Sequence, residues 1–327
     1  MLRMLCVLGL LGWSDIDQAS EVVKIEHLDS AGRQYQIALH HRLGTGSPVL
    51  YVHGSSFPIE LSSEWEFKDG TSWAGDLTAN GFDVWGLDFI GYGHSSRPDY
   101  DNLTTEFSRA SHAAGQILSA VRYISALHNG APVSIIAHSW GTIAAGYFAA
   151  RYPGKVDRLV LFGPIVQRPV HENSAAFLAS SPEFHHFVTK EQQRLRFNAE
   201  VPEGHLPVLE EPDLQTWGPA YLKTDPESYL RQPAAVQVPS GPIQDALQTW
   251  TGDWLYDPAE IIAPTLIIRG EWDTASTLAD ANNLYAHLGS ENKQIVTIPK
   301  ATHLMHLEKA RFALWRESVG FLRRSTS

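Results

Sequence analysis

The sequence predicts an α/β protein in which a mostly parallel sheet is covered by helices on both faces. Two observations support this prediction: short β-rich runs alternate with longer helical patterns, and several of those runs are apolar throughout. Continuous apolar runs are typical of strands buried on both faces of a parallel sheet. With 327 residues, of which 43% are hydrophobic, the chain can bury a large core, either as two domains or as one domain with an insertion.

The first half of the chain shows this alternation most clearly. Residues 22–28 and 34–41 are rich in β-branched and aromatic side chains and predict an opening hairpin. In residues 104–128, apolar side chains recur every three or four positions, as in an amphipathic helix. Strands are further expected at residues 48–53, 82–88, 132–138 and 156–162, and a second helix at residues 142–151.

Between residues 164 and 258 the alternation stops. This segment carries prolines and ten aromatic residues, too many aromatics for a disordered linker. We expect a mostly helical cap here, inserted into one core made of residues 22–163 and 259–327. Most of the cap aromatics are expected to pack in the cap's own core. Beyond the cap, strands are expected at residues 264–269 and 294–298, and helices at residues 278–288 and 307–323.

Residues 1–21 are expected to be a leader or a disordered N-terminus. The apolar run of residues 4–13 resembles the core of a signal peptide, but residues 14–20 are acidic and offer no clean cleavage site. The run is too short to span a bilayer, and no later stretch has the character of a membrane helix. A cytoplasmic location is therefore favoured, and a secreted or periplasmic one applies if the run is a signal peptide.

The charge and the cysteine content exclude several classes of function. The formal net charge is −11, and no run of Lys and Arg offers a surface for nucleic acid or an anionic membrane. A single cysteine, Cys6, excludes an intrachain disulfide and a cysteine-based zinc cluster. We expect a monomer or a homodimer that acts on a small molecule.

A serine in a tight turn is the strongest local indication of chemistry. The strand at residues 132–138 runs into the turn Ala137-His138-Ser139-Trp140-Gly141, and an alanine-rich helix follows. Small residues two positions before and after Ser139 allow a nucleophile elbow, a strained turn that exposes the serine hydroxyl. The simpler alternative is a serine that caps the helix. The strand and helix on either side favour a nucleophile.

Such a serine needs a histidine base and a carboxylate that orients the histidine. Asp273 follows one predicted strand in the pattern G-x-x-D, and His303 follows the next strand. The carboxyl ends of parallel strands meet at one edge of a sheet, so these side chains are expected near Ser139. Glu271 and His306 are the alternatives, but Glu271 is expected to face solvent and His306 to lie on the first turn of the last helix.

Two backbone N–H groups are expected to form an oxyanion hole, one at Ser55 and one at Trp140. His53 is expected to fix the loop that carries Ser55. Residues 57–73 form a long loop that either lines the entrance to the site or is a surface excursion. The substrate pocket is expected to include Gly54, Ser56, His138 and Trp140. We expect no metal, because the pair His303 and His306 lacks further ligands.

Taken together, five motifs resemble the α/β-hydrolase superfamily. They are His53-Gly54, the segment Asp88-Phe89-Ile90-Gly91-Tyr92-Gly93-His94-Ser95, the turn at Ser139, the G-x-x-D that ends at Asp273, and His303. The order serine, aspartate, histidine is that of this superfamily. The resemblance covers residues 22–323. It implies an eight-stranded core, a helical cap over the site, no cofactor, and an acyl-enzyme mechanism.

Departures from particular subfamilies narrow the predicted reaction. Haloalkane dehalogenases and epoxide hydrolases of this fold carry aspartate where this chain has Ser139. Ser139-Trp140-Gly141 resembles proline iminopeptidases, but Gly54-Ser55-Ser56-Phe57-Pro58 replaces their glycine- and proline-rich loop, which argues against peptidase activity. We expect a hydrolase of carboxylic esters or lactones. The first alternative is a hydrolase that cleaves a carbon–carbon bond of a vinylogous diketone. Less favoured are a peptidase similar to proline iminopeptidases and a ligand-binding receptor on the same fold.

Overall fold

A computed structural model describes residues 20–100, 103, 107–170, 184–209 and 211–324 of the chain. Eight strands form one sheet and two further strands form a second, separate sheet. The strands are β1 (Glu21–Leu28), β2 (Gln34–Arg42), β3 (Pro48–Val52), β4 (Asp83–Asp88), β5 (Val133–His138), β6 (Val156–Phe162), β7 (His185–Thr189), β8 (Ala235–Pro239), β9 (Thr265–Gly270) and β10 (Lys293–Ile298). The leader predicted at residues 1–21 lies almost wholly outside the described residues.

The larger sheet has the strand order β1-β2-β4-β3-β5-β6-β9-β10. The opening hairpin is antiparallel, with Ile25 opposite Ile37, and β2 also pairs antiparallel with β4. From β4 to β10 every neighbouring pair is parallel. Strands β3, β4, β5 and β9 are buried at every residue, as the apolar runs predict. The prediction of a mostly parallel eight-stranded sheet is confirmed.

The helices of the core pack as pairs against the sheet, with α2 against α3 and α1 against α8. The helices described are α1 (Trp73–Ala79), α2 (Ala110–Leu127), α3 (Trp140–Arg151), α4 (Lys190–Asn198), α5 (Glu211–Lys223), α6 (Gly241–Trp250), α7 (Leu278–His287) and α8 (Arg311–Leu322). No helix among these is both long enough and apolar enough to cross a membrane.

Two helices begin later than the sequence predicts. Helix α2 starts at Ala110, six residues after the predicted start at residue 104, because Ser108 has a φ of +59° and cannot continue a helix. The buried carboxylate of Asp245 accepts a hydrogen bond from the N–H of Ala110 and so fixes the start. Helix α8 starts at Arg311 rather than at residue 307, after a short 3-10 turn at Met305–Leu307. Residues 104–106 lie outside the described part.

Between β6 and β9 the described residues form helices α4, α5 and α6 and the small sheet of β7 and β8. The prediction of a mostly helical segment misses these two strands. Each strand has five residues, and Phe187 in β7 is exposed. Strand β7 has no buried residue, and Gln237 interrupts the apolar residues of β8, so neither strand carries the continuous apolar run that identifies the buried strands of the larger sheet. Helices α4 and α6 lie above the carboxyl ends of the core strands and contribute residues to the site described next.

Candidate active site

Ser139 lies in the turn between β5 and α3 with a strained backbone, at φ +55° and ψ −128°. A positive φ is uncommon for a residue with a Cβ and persists only where its surroundings hold it. The Ser139 N–H donates to the Phe162 carbonyl at 3.1 Å, and the Ser139 carbonyl accepts from the Thr142 N–H and hydroxyl. Gly141 is required here, since a Cβ would lie 2.4 Å from the His53 carbonyl oxygen.

Three side chains predicted from distant parts of the sequence form one hydrogen-bonded row. His303 Nε2 lies 2.8 Å from Ser139 Oγ, and His303 Nδ1 lies 3.0 Å and 3.1 Å from the two carboxylate oxygens of Asp273. All three residues are buried. A carboxylate can only accept, so Nδ1 carries the proton and Nε2 is free to accept the hydroxyl hydrogen of Ser139.

Two glycines give the histidine and aspartate loops room to meet. A Cβ on Gly270, the glycine of the G-x-x-D pattern, would lie 2.2 Å from the Ala301 carbonyl oxygen. A Cβ on Gly163 would lie 3.0 Å from the His303 ring. The alternative carboxylate, Glu271, is exposed and accepts from the Lys300 N–H at 2.8 Å, as expected of a side chain that faces solvent.

Glu200, two residues after the end of α4, is part of the site and was not identified from the sequence. One of its oxygens accepts from the His303 N–H at 2.7 Å; the other accepts from the N–H and the hydroxyl of Thr274, at 2.9 Å and 2.6 Å. Burial raises the pKa of Glu200, but these hydrogen bonds outweigh burial and hold the pKa below its ordinary value. An ionised carboxylate therefore joins the loops that carry Asp273 and His303.

The loop after β3 lies directly against Ser139. A Cβ on Gly54 would be 3.1 Å from the Cβ of Ser139. His53 Nε2 accepts from the Phe89 N–H at 3.2 Å, and Nδ1 donates to the Gly54 carbonyl at 2.6 Å. Burial lowers the pKa of His53 to about 4, so the ring is neutral and holds the loop. Tyr92 donates its hydroxyl hydrogen to the Ser55 carbonyl at 2.6 Å.

A cavity of about 350 Å³ opens next to Ser139 and His303. Ser55 and Trp140 line it, together with apolar side chains of α6, among them Ile243, Leu247 and Trp250. Helix α6 therefore forms one wall of the cavity. The polar side chains of Arg196, Glu200 and Thr274 face the same space. This combination of an apolar wall with a few polar groups is typical of a site for a small molecule.

Three residues predicted for the substrate pocket do not line this cavity. Gly54, Ser56 and His138 lie in an adjoining tight space, and only Trp140 of the four predicted pocket residues faces the cavity. The His138 ring stacks on Phe162 and donates from Nε2 to the His303 carbonyl at 3.0 Å. Burial holds the pKa of His138 far below its ordinary value, so this ring is a neutral support for the histidine loop.

Trp140 is anchored to helix α6 through its side chain. Its indole N–H donates to Asp245 on α6 at 2.8 Å. Asp245 also accepts from the Arg109 guanidinium, which donates in addition to Gln248. The residue that follows Ser139 is thus tied to a helix of the segment between β6 and β9, a link for which the sequence offers no local pattern.

The long loop at residues 57–73 is buried at its start and exposed further along. Ile59 and Leu61 are fully buried, and the Leu61 carbonyl accepts from the Trp217 indole N–H on α5 at 3.1 Å. Phe57 packs edge-on against the same indole. The start of the loop therefore supports helix α5 and does not line the cavity, whereas residues 66 and 68–70 are exposed.

His306 lies on the short 3-10 turn that precedes α8, not on the first turn of that helix as predicted. Its ring is buried against Phe57 and His138, and neither ring nitrogen has a hydrogen-bond partner among the described residues. Burial, together with the charges of His303 and Arg196, lowers its pKa to about 3. Across the described residues no cluster of three or more His, Cys, Asp or Glu could hold a metal ion.

Comparisons with known proteins agree with this architecture. A curated relative, the 1-acylglycerol-3-phosphate O-acyltransferase ABHD5 of Pongo abelii, is 23% identical over 138 residues, which is 42% of this chain and 35% of that protein. The 2-hydroxy-6-oxo-2,4-heptadienoate hydrolase of Pseudomonas putida is 30% identical over 125 residues, 38% of this chain and 40% of that enzyme. The aligned part thus spans little more than a third of these relatives.

An esterase from Exiguobacterium antarcticum has the same fold, with a TM-score of 0.64 and 18% identity over 92% of this chain and 100% of that one. The model of the serine aminopeptidase S33 family (Hydrolase_4) matches residues 71–310, more than half of the chain. The matched region includes Ser139, Asp273 and His303. With its mostly parallel eight-stranded sheet, the chain belongs to this family of α/β-hydrolases.

Proposed function

We propose that the protein hydrolyses a carboxylic ester or a lactone through an acyl-enzyme formed on Ser139. The observation that carries this proposal is the hydrogen-bonded row from Ser139 through His303 to Asp273, at 2.8 Å and 3.0 Å. The row ends at a cavity with an apolar wall, which suits a small and partly apolar substrate with a carbonyl group. No step of this chemistry requires a cofactor.

In the proposed cycle, His303 Nε2 takes the proton of Ser139 as the serine oxygen attacks the carbonyl carbon. Asp273 stabilises the imidazolium that forms and keeps the ring in one tautomer. The N–H groups of Ser55 and Trp140 are proposed to hold the oxyanion, and each such donor contributes about 3 to 4 kcal/mol in comparable enzymes. His303 then protonates the leaving group and later activates the water that releases the acid.

A carbon–carbon bond hydrolase is the second candidate. The 30% identity to the Pseudomonas heptadienoate hydrolase favours it, and the same three side chains could serve both reactions. The two candidates differ in substrate: a vinylogous diketone is cleaved in one case and an ester in the other.

A substrate panel tests this proposal. Purified protein is assayed with short p-nitrophenyl esters, lactones, a dienoate diketone and a proline anilide. We expect ester turnover that falls by about 10⁴-fold or more in Ser139→Ala. The matched control is Ser134→Ala, a buried serine on the same strand whose hydroxyl bonds to Asp157 and not to His303. Faster cleavage of the diketone would select the second candidate, and preference for the anilide would indicate a peptidase. A folded protein inactive on every substrate would contradict both proposals.

A further inference from the structure

Arg196 places a positive charge in the cavity beside the proposed nucleophile. It lies in the last turn of α4 and lines the same cavity as Ser139 and His303, as well as the adjoining tight space that holds Ser56. Its Nη1 donates to the Ser56 hydroxyl at 2.5 Å. Among the residues that the structure describes, this is its one hydrogen bond, and no carboxylate forms an ion pair with it. Most of the five guanidinium N–H donors thus remain available.

The carboxylates nearest to this guanidinium are committed to other partners. Burial has the largest effect on Arg196 and lowers the pKa of its guanidinium, whereas Tyr221, Glu200 and Asp273 raise this pKa through their charges without reversing the shift. However, the two oxygens of Glu200 accept from Thr274 and His303. The two oxygens of Asp273 face the His303 ring, and one also accepts from the Ser276 N–H. Neither carboxylate neutralises the guanidinium by direct contact.

An anion that enters the cavity would move from water into a space that the apolar face of α6 walls on one side. A desolvated anion is tolerated only where a cation and hydrogen bonds receive it. Arginine is well suited to this, because its planar fork binds a carboxylate through two parallel hydrogen bonds. We infer that the substrate carries a carboxylate on its acyl part and that Arg196 binds it. This inference rests on the proposed function and narrows its substrate class.

A matched pair of esters tests the inference. p-Nitrophenyl hemiglutarate and p-nitrophenyl hexanoate have acyl chains of similar length, and only the first carries a carboxylate. In Arg196→Gln the ratio of kcat/KM for hemiglutarate to that for hexanoate should fall by about 10- to 100-fold, mainly through KM. Arg196→Lys should retain part of the ratio. The control is Arg194→Gln, an exposed arginine of the same helix outside the cavity, which should keep the wild-type ratio.

If Arg196→Gln lowers kcat/KM equally for both esters, the inference is overturned, and the role of Arg196 is to hold the Ser55-Ser56 loop. A wild-type enzyme that prefers hexanoate would overturn it as well. A second measurement does not depend on turnover: calorimetric binding of glutarate to Ser139→Ala, which should be lost when Arg196→Gln is added. If no ester is hydrolysed but glutarate binds through Arg196, the proposed ester chemistry fails and the anion site stands. If glutarate does not bind, the anion site fails.

Discussion

Two histidines three residues apart have opposite surroundings. His303 has a partner at each ring nitrogen, Asp273 on one side and Ser139 on the other. His306 is buried with no hydrogen-bond partner in the described part of the chain, and its pKa is lowered to about 3. The first arrangement is suited to moving a proton, and the second keeps a ring neutral. His306 is therefore a packing residue beside the site.

This difference predicts a pH effect on stability. The pKa of His306 rises from about 3 to its ordinary value of 6.5 on unfolding. As the pH falls below 6.5, the unfolded chain takes up a proton that the folded protein does not, and stability is lost. Between pH 7 and pH 5 this costs about 2 kcal/mol, since one pH unit per proton corresponds to about 1.4 kcal/mol. His306→Phe, which keeps a ring against Phe57, should lose about that much less stability over this range.

Urea unfolding at pH 7 and pH 5 measures the effect. The control is His287→Phe, which replaces an exposed histidine on α7 and should retain the wild-type pH dependence. The same loss of stability in His306→Phe as in the wild type would show that this ring is protonated in the folded protein.

Sequence patterns predict the placement of single residues when a motif fixes the local backbone. The turn at Ser139 and the glycine of the G-x-x-D pattern are examples, because each is dictated by close backbone approach. The predicted pocket residue His138 shows the limit of this method. Its position next to Ser139 is local information, but its orientation towards Phe162 and the His303 carbonyl depends on two other strand ends.

At the scale of the elements, α4 joins the two loops of the site. The helix begins at a capping box in which Thr189 and Gln192 exchange hydrogen bonds, and it ends just before Glu200. Glu200 then accepts hydrogen bonds from the loop after β9, through Thr274, and from the loop after β10, through His303. The position of α4 therefore fixes the distance between the two loops.

We expect Glu200→Gln to lower kcat for the best ester by about tenfold, because a small misplacement of His303 weakens its alignment with Ser139. A glutamine has one acceptor oxygen and cannot serve both loops. KM should change by less than about twofold if substrate binding is unaffected. The melting temperature, measured alongside, separates positioning from general destabilisation.

The control for this experiment is Glu203→Gln, an exposed glutamate close by in the same connection. It should keep the wild-type kcat. A higher KM with unchanged kcat in Glu200→Gln would contradict a positioning role for this carboxylate. A loss of activity explained by partial unfolding would contradict it as well.

Element boundaries agree with the sequence prediction where burial determines them and differ from it where a tertiary contact determines them. The buried strands β3, β5 and β9 begin within a residue of their predicted starts, because an apolar run defines each one. Helix α2 begins at Ala110, where a carboxylate from α6 accepts its N–H. A contact between residues 135 positions apart leaves no local pattern, and the same applies to the Glu200 contacts.

At the scale of the molecule, the cavity is walled both by residues that follow strands of the larger sheet and by the segment between β6 and β9. Ser139, Trp140 and His303 come from the core, whereas Arg196 and α6 come from the segment between β6 and β9. Asp245 links the two parts by receiving hydrogen bonds from Trp140 and from the start of α2. For the proposed function, substrate selection depends on how this segment packs against the larger sheet, which the motifs at the strand ends do not encode. This is why the sequence predicts the reaction type better than the substrate.

Covalent labelling of the folded protein tests the central claim most directly. A fluorophosphonate should modify the wild type once, and peptide mass spectrometry should map the adduct to Ser139. The geometry requires His303 to activate this hydroxyl, so His303→Ala should label far more slowly although Ser139 is intact. Labelling of a different residue, or equal labelling rates in the wild type and His303→Ala, would contradict the account.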